Sequence, residues 1–324
     1  MRIVEDLLAE ELPEKEVLVE GILRKRDIVS FGGRRKNGKT TLLSNLAMHL
    51  SAGAEMFLGH SITRPARVLA LFFEDDPSQI KEKLERLYAL LDPKRQMAVV
   101  TLDELISAGV PVSCTDERFR NYLYKQVSDF KPDVVMLDNL SHLVRGRYND
   151  PEIIDNAFML VRGLANTYGC AVIVAAHPRK RGKEDPKHKL NGDTEDFFED
   201  IMGSSHFVNS ADCLWGIEKI KGGGNYFLAG EQRRTGKEYL SVIDLDDDGV
   251  FRLTEGHSDK LTSVLTSQKR KDAWKLFKQA GAFKWDEMQP RCTMMKQSAF
   301  YDFKRELIRN GLVVKGEEDT WKVV

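Results

Sequence analysis

Gly33-Arg34-Arg35-Lys36-Asn37-Gly38-Lys39-Thr40 decides the fold. The stretch fits the G-x-x-x-x-G-K-[ST] phosphate-binding pattern without a mismatch. Before it stands Asp27-Ile28-Val29-Ser30-Phe31-Gly32, a short apolar run of the kind a buried strand shows. After it, Thr41-Leu42-Leu43-Ser44-Asn45-Leu46-Ala47-Met48-His49-Leu50 carries apolar residues at helical spacing. Strand, glycine loop and helix, in that order, let successive backbone N–H groups wrap a polyphosphate at a helix N-terminus. Gly33 through Thr41 are the candidate nucleotide contacts. Lys39 would reach the β- and γ-phosphates, and the Thr40 hydroxyl would sit on Mg²⁺.

From residue 27 to about 176 strand-like and helix-like stretches alternate, which predicts a mostly parallel sheet with helices on both faces. The second strand, Val68–Phe73, runs into Glu74-Asp75-Asp76-Pro77, and a helix is expected over 78–91. Further elements are a strand near 97–102, a helix over 116–130 and a helix over 151–168. Asp133-Val134-Val135-Met136-Leu137-Asp138 is four apolar residues ending in a carboxylate, the pattern that places an aspartate beside a Mg²⁺-bound water. Cys170 to Ala176 is the next buried strand, and His177 ends it.

The text then changes. Pro178 to Lys189 holds six Lys/Arg and two acids, a surface loop by composition. Residues 212–254 read as short antiparallel strands, punctuated by Gly222-Gly223-Gly224, Thr235-Gly236 and Asp246-Asp247-Asp248-Gly249. Near residue 260 helices take over, at 262–280, 285–290 and 296–310, followed by a terminal hairpin. Three helices and a hairpin predict a winged helix, whose third helix offers Lys296, Lys304 and Arg305 to a DNA major groove. The expected domains are an N-terminal arm (1–26), an ATPase domain (27–257) and the winged-helix domain (262–324).

Length and a hydrophobic fraction of 42% fit one large and one small globular domain. No apolar run approaches the ~18 residues of a membrane span, and the acidic N-terminus lacks the apolar core of a signal peptide. Cys114, Cys170, Cys213 and Cys292 are far apart, so a cytoplasmic protein with reduced thiols is expected, without a zinc site or disulfides. The net charge of −1 is uneven. Residues 261–324 hold 13 Lys+Arg against 8 Asp+Glu, and this basic end points to nucleic acid.

Residues 15–255 resemble the RecA-like ATPases of the RepA type, the plasmid hexameric helicases and their phage relatives. The resemblance rests on the phosphate loop, Glu74-Asp75-Asp76-Pro77, the Asp138 strand and Ala175-Ala176-His177. It continues through Gly203-Ser204-Ser205, Asn209-Ser210-Ala211-Asp212 and Arg233 in a late hairpin. It implies that Glu74 orients and deprotonates the attacking water, with Asp75 and Asp76 as rivals for the role. One carboxylate suffices there because phosphoryl transfer is mostly positioning and charge neutralisation. It further implies a homo-oligomeric ring, a hexamer, in which Arg233 or Arg234 of one subunit acts on its neighbour's ATP. His177 would stand beside the γ-phosphate and report nucleotide state to the basic loop. Arg145, Arg147 and the loop Arg179–Lys189 would face a central channel holding single-stranded DNA. Arg34, Arg35 and Lys36 depart from the family, where small residues are more usual, and Glu231-Gln232 stand where a lysine often precedes the arginine. Two other readings share these motifs: an ATPase without unwinding activity, such as a helicase loader or recombination mediator, and an ATP-switched winged-helix regulator.

Overall fold

The structure is a computed structural model that describes residues 3–10, 14–147, 150–177, 190, 197–198, 210–220, 224–254, 267–309, 313–315 and 320–323. A helix α1 (Val4–Ala9) is followed by a hairpin of β1 (Val17–Val19) and β2 (Leu23–Arg24). The body then runs β3 (Ile28–Gly33), α2 (Lys39–Ala52), β4 (Met56–Phe57), β5 (His60–Ser61), β6 (Val68–Phe72), α3 (Pro77–Leu91), β7 (Met97–Thr101), α4 (Leu102–Ser107) and α5 (Glu117–Phe130). It continues with β8 (Val134–Asp138), α6 (Leu140–Leu143), α7 (Pro151–Tyr168), β9 (Ala171–Ala176), β10 (Cys213–Lys219), β11 (Asn225–Gln232), β12 (Lys237–Leu245) and β13 (Phe251–Leu253).

Nine strands form one sheet in the order β13-β12-β11-β10-β3-β9-β8-β6-β7. From β10 to β7 every pairing is parallel, and β10 to β13 pair antiparallel. Residues 213–253 form the expected antiparallel strands, and the first of them makes a further pairing. β10 lies parallel against β3, the strand of the phosphate loop, with Cys213 opposite Val29 and Ile217 opposite Gly33. Leu214, Trp215 and Ile217 are buried in the common sheet.

The parallel strands read as continuous apolar runs because helices cover both faces. Along β8, Val135 and Leu137 face one core with Phe119, Leu123 and Val127 of α5 and Ile154, Val161 and Leu164 of α7. Val134 and Met136 face the opposite core, with Leu42, Leu43, Leu46 and Leu50 of α2. Each large side chain so buried contributes about 1.5–3 kcal/mol. Asp76, Asp116 and Asp150 cap the N-termini of α3, α5 and α7, and Thr101 forms a capping box with Glu104 on α4. Leu18, Val19, Ile22 and Leu23 belong to the second core, so the packed body begins before the boundary drawn at residue 27.

Residues 267–323 have a core of their own. α8 (Gln268–Ala280), α9 (Trp285–Arg291) and α10 (Gln297–Arg309) surround Phe277, Phe283, Trp285, Phe300 and Phe303. A small sheet, in the order β14 (Ala282–Phe283), β16 (Trp321–Val323), β15 (Val313–Lys315), completes the unit. Gly281, at φ 67°, ends α8 where the sequence places a stop. Arg305 lies exposed on α10, paired to Asp302, and Lys296 is exposed just before the helix begins. Lys304 is half-buried, its Nζ 5.1 Å above the Trp285 ring.

Among the described residues no helix is long and apolar enough to cross a membrane. The four cysteines are free and buried.

Candidate active site

The phosphate loop leaves β3 at Gly33 and enters α2 at Lys39 through Gly38, whose φ of 81° favours glycine. A Cβ on Gly38 would also lie 3.1 Å from the Phe251 ring, which stacks edge-on against Tyr226. Gly33 is hemmed in by β10, since a Cβ there would stand 2.9 Å from Ile217 Cγ2. Asn37 Nδ2 donates to the Ile217 carbonyl at 3.4 Å. Asn45, fully buried one turn into α2, fixes the helix to the far edge of the sheet. Its Nδ2 donates to Gly249 O and its Oδ1 accepts from Phe251 N, both at 2.9 Å. Nothing local marked Asn45, because its partners are some 200 residues away.

Four strand ends meet at this loop. The register sets Phe72 beside Asp138, Asp138 beside Ala175 and Ala176 beside Gly32, so Glu74, Asp138 and His177 arrive together at the C-terminal edge of the parallel strands. They line, with Arg35, Lys36, Lys39, Thr40 and Asp75, a cavity of about 490 Å³. A second cavity of about 380 Å³ adjoins it, sharing Thr41 and Lys83 and bounded by Ser44, Gln79, Arg86 and Asp248.

Lys39 is only 5% exposed. Its Nζ donates to Gly33 O (2.7 Å), Arg34 O (3.2 Å) and His177 Nδ1 (2.9 Å). Burial pulls its pKa down to about 8, against the opposing pull of Asp138 and Glu74. It is therefore still charged at neutral pH. The Thr40 hydroxyl donates to Asp138 Oδ2 at 2.5 Å. Burial raises the Asp138 carboxyl above its ordinary range, partly offset by that hydroxyl and by Lys39.

Glu74 is the most exposed of the carboxylates that face the loop at close range, and it is flanked by two imidazoles. His177 Nε2 lies 3.3 Å from Oε2 and His142 Nε2 lies 3.9 Å from Oε1. The His177 hydrogen bond is the main reason that its pKa falls to about 2. The two rivals have partners of their own. Asp75 pairs with Lys83 at 2.5 Å, and Asp76 caps α3 through Ser78 N at 2.8 Å. Asn139, fully buried, accepts from Ser141 N at 2.9 Å and holds its Nδ2 3.0 Å from His177 Nε2. Asn139 and His142 went unmarked in the sequence, although one follows directly on Asp138 and the other comes four residues after it.

Arg233 and Arg234 are not brought to this site. They occupy the β11–β12 turn, and the pairing of Gln232 with Cys213, and of Cys213 with Val29, puts that turn at the opposite edge of the sheet. Arg234 pairs there with Asp212 at 2.8 Å, and Arg233 N donates to Asp212 O at 3.1 Å. Arg145 and Arg147 lie exposed in the turn after α6. The basic loop Arg179–Lys189 and the residues Gly203, Ser204, Ser205 and Asn209 lie outside the described residues.

A family model described as an AAA domain matches residues 1–183. The span contains the phosphate loop, Glu74, Asp138, Asn139 and His177 and ends before β10. No curated protein matches the chain.

Proposed function

The chain belongs to the AAA domain family, whose model covers more than half of it, and from that premise we propose that it hydrolyses ATP as a RecA-like motor acting on DNA. The observation that carries the hydrolysis is the convergence of Lys39, the Thr40–Asp138 pair and Glu74 on one cavity. Lys39 neutralises the β- and γ-phosphates, the loop amides cradle them, and Glu74 accepts the proton of the attacking water. Arg35 and Lys36 add charge at the cavity wall, and the adjoining cavity beside Thr41 has room for the nucleoside.

The residues present fit Mg²⁺. A hydroxyl and a carboxylate oxygen are paired on the cavity floor, and oxygen donors suit a hard cation. Among the described residues no group of three or more His, Cys, Asp or Glu could hold a metal alone, which fits a cation shared with the nucleotide. Thr40 would hold it directly and Asp138 through water; when bound, it neutralises phosphate oxygens.

The DNA reading is finer and rests on other support. Three helices and a small sheet support the winged-helix reading of the C-terminal unit, with Lys296 exposed just before the third helix and Arg305 exposed on it. A hexameric ring of RepA type would place single-stranded DNA against Arg145 and Arg147, and would let Arg233 complete the neighbour's site. Strand displacement on a forked duplex tests it. ATP-dependent displacement supports the helicase. DNA-stimulated turnover without displacement leaves a loader or mediator, and DNA binding without turnover leaves an ATP-switched regulator.

A further inference from the structure

Lys39 has three N–H bonds and three protein acceptors, Gly33 O, Arg34 O and His177 Nδ1. An ammonium only donates. His177 Nδ1 is thus an acceptor while Lys39 holds it, which places the ring proton on Nε2, where it faces Glu74 Oε2 at 3.3 Å and is crowded by the Asn139 amide nitrogen at 3.0 Å. A second set of partners surrounds the same ring. Gly33 O lies 3.4 Å from Nδ1, and Asn139 Nδ2 lies 3.0 Å from Nε2. Ser141 N fixes the orientation of the Asn139 amide by donating to its Oδ1 at 2.9 Å. Its nitrogen is therefore the end that faces the ring. Each neutral tautomer of His177 has its own pair of partners.

We propose that His177 is a tautomer switch that couples the phosphate-binding lysine to the water-activating glutamate. This rests on the ATPase reading of the site. A γ-phosphate takes a donor from Lys39 and draws it away from His177 and Gly33 O. Nδ1 then takes up a proton from water and donates it to the vacated Gly33 carbonyl. Nε2 gives up its proton to water and accepts from Asn139, so the ring stays neutral. Glu74 loses the imidazole N–H, the larger of its hydrogen bonds beside that of Asn139, and the freed carboxylate oxygen can accept from the attacking water. Without a γ-phosphate the lysine holds the first tautomer, and Glu74 remains restrained. His177 acts through Glu74 and is a positioning residue. Two neutral tautomers differ by one proton exchange with solvent, so the switch needs no backbone rearrangement.

The test is nitrogen NMR of the full chain with ¹⁵N-labelled imidazoles at pH 7, the His177 signal being assigned from His177→Gln. Three samples are compared: the protein alone, the protein with Mg²⁺ and the β,γ-imido analogue of ATP, and Lys39→Met alone. The expected proton positions are Nε2, Nδ1 and Nδ1. A proton on Nε2 in all three, on Nδ1 in the unliganded protein, or on both nitrogens with the analogue overturns the switch. Calorimetry on the same sample shows whether the analogue binds. If it does not, the ATPase reading fails, whereas the Lys39→Met comparison still decides the switch, because there the lysine is removed without any nucleotide. Unchanged signals from the other histidines show that Lys39→Met is folded.

Discussion

Asp133 and Asp138 bracket one strand, β8, and do opposite things. Asp133, at the start, is met by Arg64 Nη2 (2.9 Å), Lys25 Nζ (3.0 Å) and Arg67 N (2.8 Å). Burial alone would raise its pKa, yet these donors hold the carboxyl well below the ordinary range. Asp138, at the end, is pushed up by burial, with Thr40 as its hydrogen-bonding neighbour. The same contrast runs along the whole sheet. At the edge where β3 begins, Lys15–Asp27, Lys25–Asp133, Arg64–Asp133 and Arg234–Asp212 are closed ion pairs. At the edge where β3 ends, Lys39, the Thr40 hydroxyl, the His177 imidazole and the carboxylates of Glu74 and Asp138 share a cavity. One edge satisfies its charges internally and holds the hairpin, β8 and β10 together. The other keeps a charge arrangement that a polyanion and a cation complete.

Arg233 tests whether that division holds across subunits, since it sits at the closed edge yet is assigned to a neighbour's open one. Arg233→Ala should keep ATP binding and lose about 10³ or more in turnover. Mixing it with Lys39→Ala should restore part of the activity in steady-state assays. Normal turnover of Arg233→Ala would confine catalysis to the open edge. Glu74→Gln should slow hydrolysis by about 10²–10⁴ with nucleotide affinity retained, measured by single turnover and equilibrium titration. Asp75→Asn giving that phenotype instead would reassign the base.

The closed edge should respond in stability. Asp133→Asn should cost about 1.5–3 kcal/mol in urea unfolding, since it weakens charged hydrogen bonds, with turnover per folded molecule unchanged. Because the folded-state pKa of Asp133 is depressed, its contribution is present above the usual carboxylate range and fades as pH falls below it. Equal stability of the variant would erase the contrast between the two ends of β8. The smallest effect concerns Lys39. With the unliganded lysine titrating near 8 and a phosphate-bound lysine staying charged, ATP affinity should decline above that pH by at most about tenfold per unit. Lys39→Met should show no such decline in the same titration.

The phosphate loop, the alternation of strand and helix, and the carboxylate that ends β8 are legible in the order of residues. Each is a local pattern: a glycine spacing, an apolar run, a residue at a strand's end. Lys39, Thr40 and Asp138 were legible for that reason, whereas Glu74 and His177 were singled out through the family resemblance. The three consecutive acids were told apart in three dimensions, where Asp75 pairs with Lys83, Asp76 caps α3 and Glu74 stands beside His177 and His142, and this only the folded chain shows. Only it joined β10 to β3, buried Leu18 and Leu23 beneath α2, and set Asn45 against Phe251 across 206 residues. Asn139 and His142 gained their meaning the same way, one against His177 and the other against Glu74. A hydrogen bond between distant residues leaves no periodicity in the chain. It exists once the sheet register has placed the two strand ends side by side.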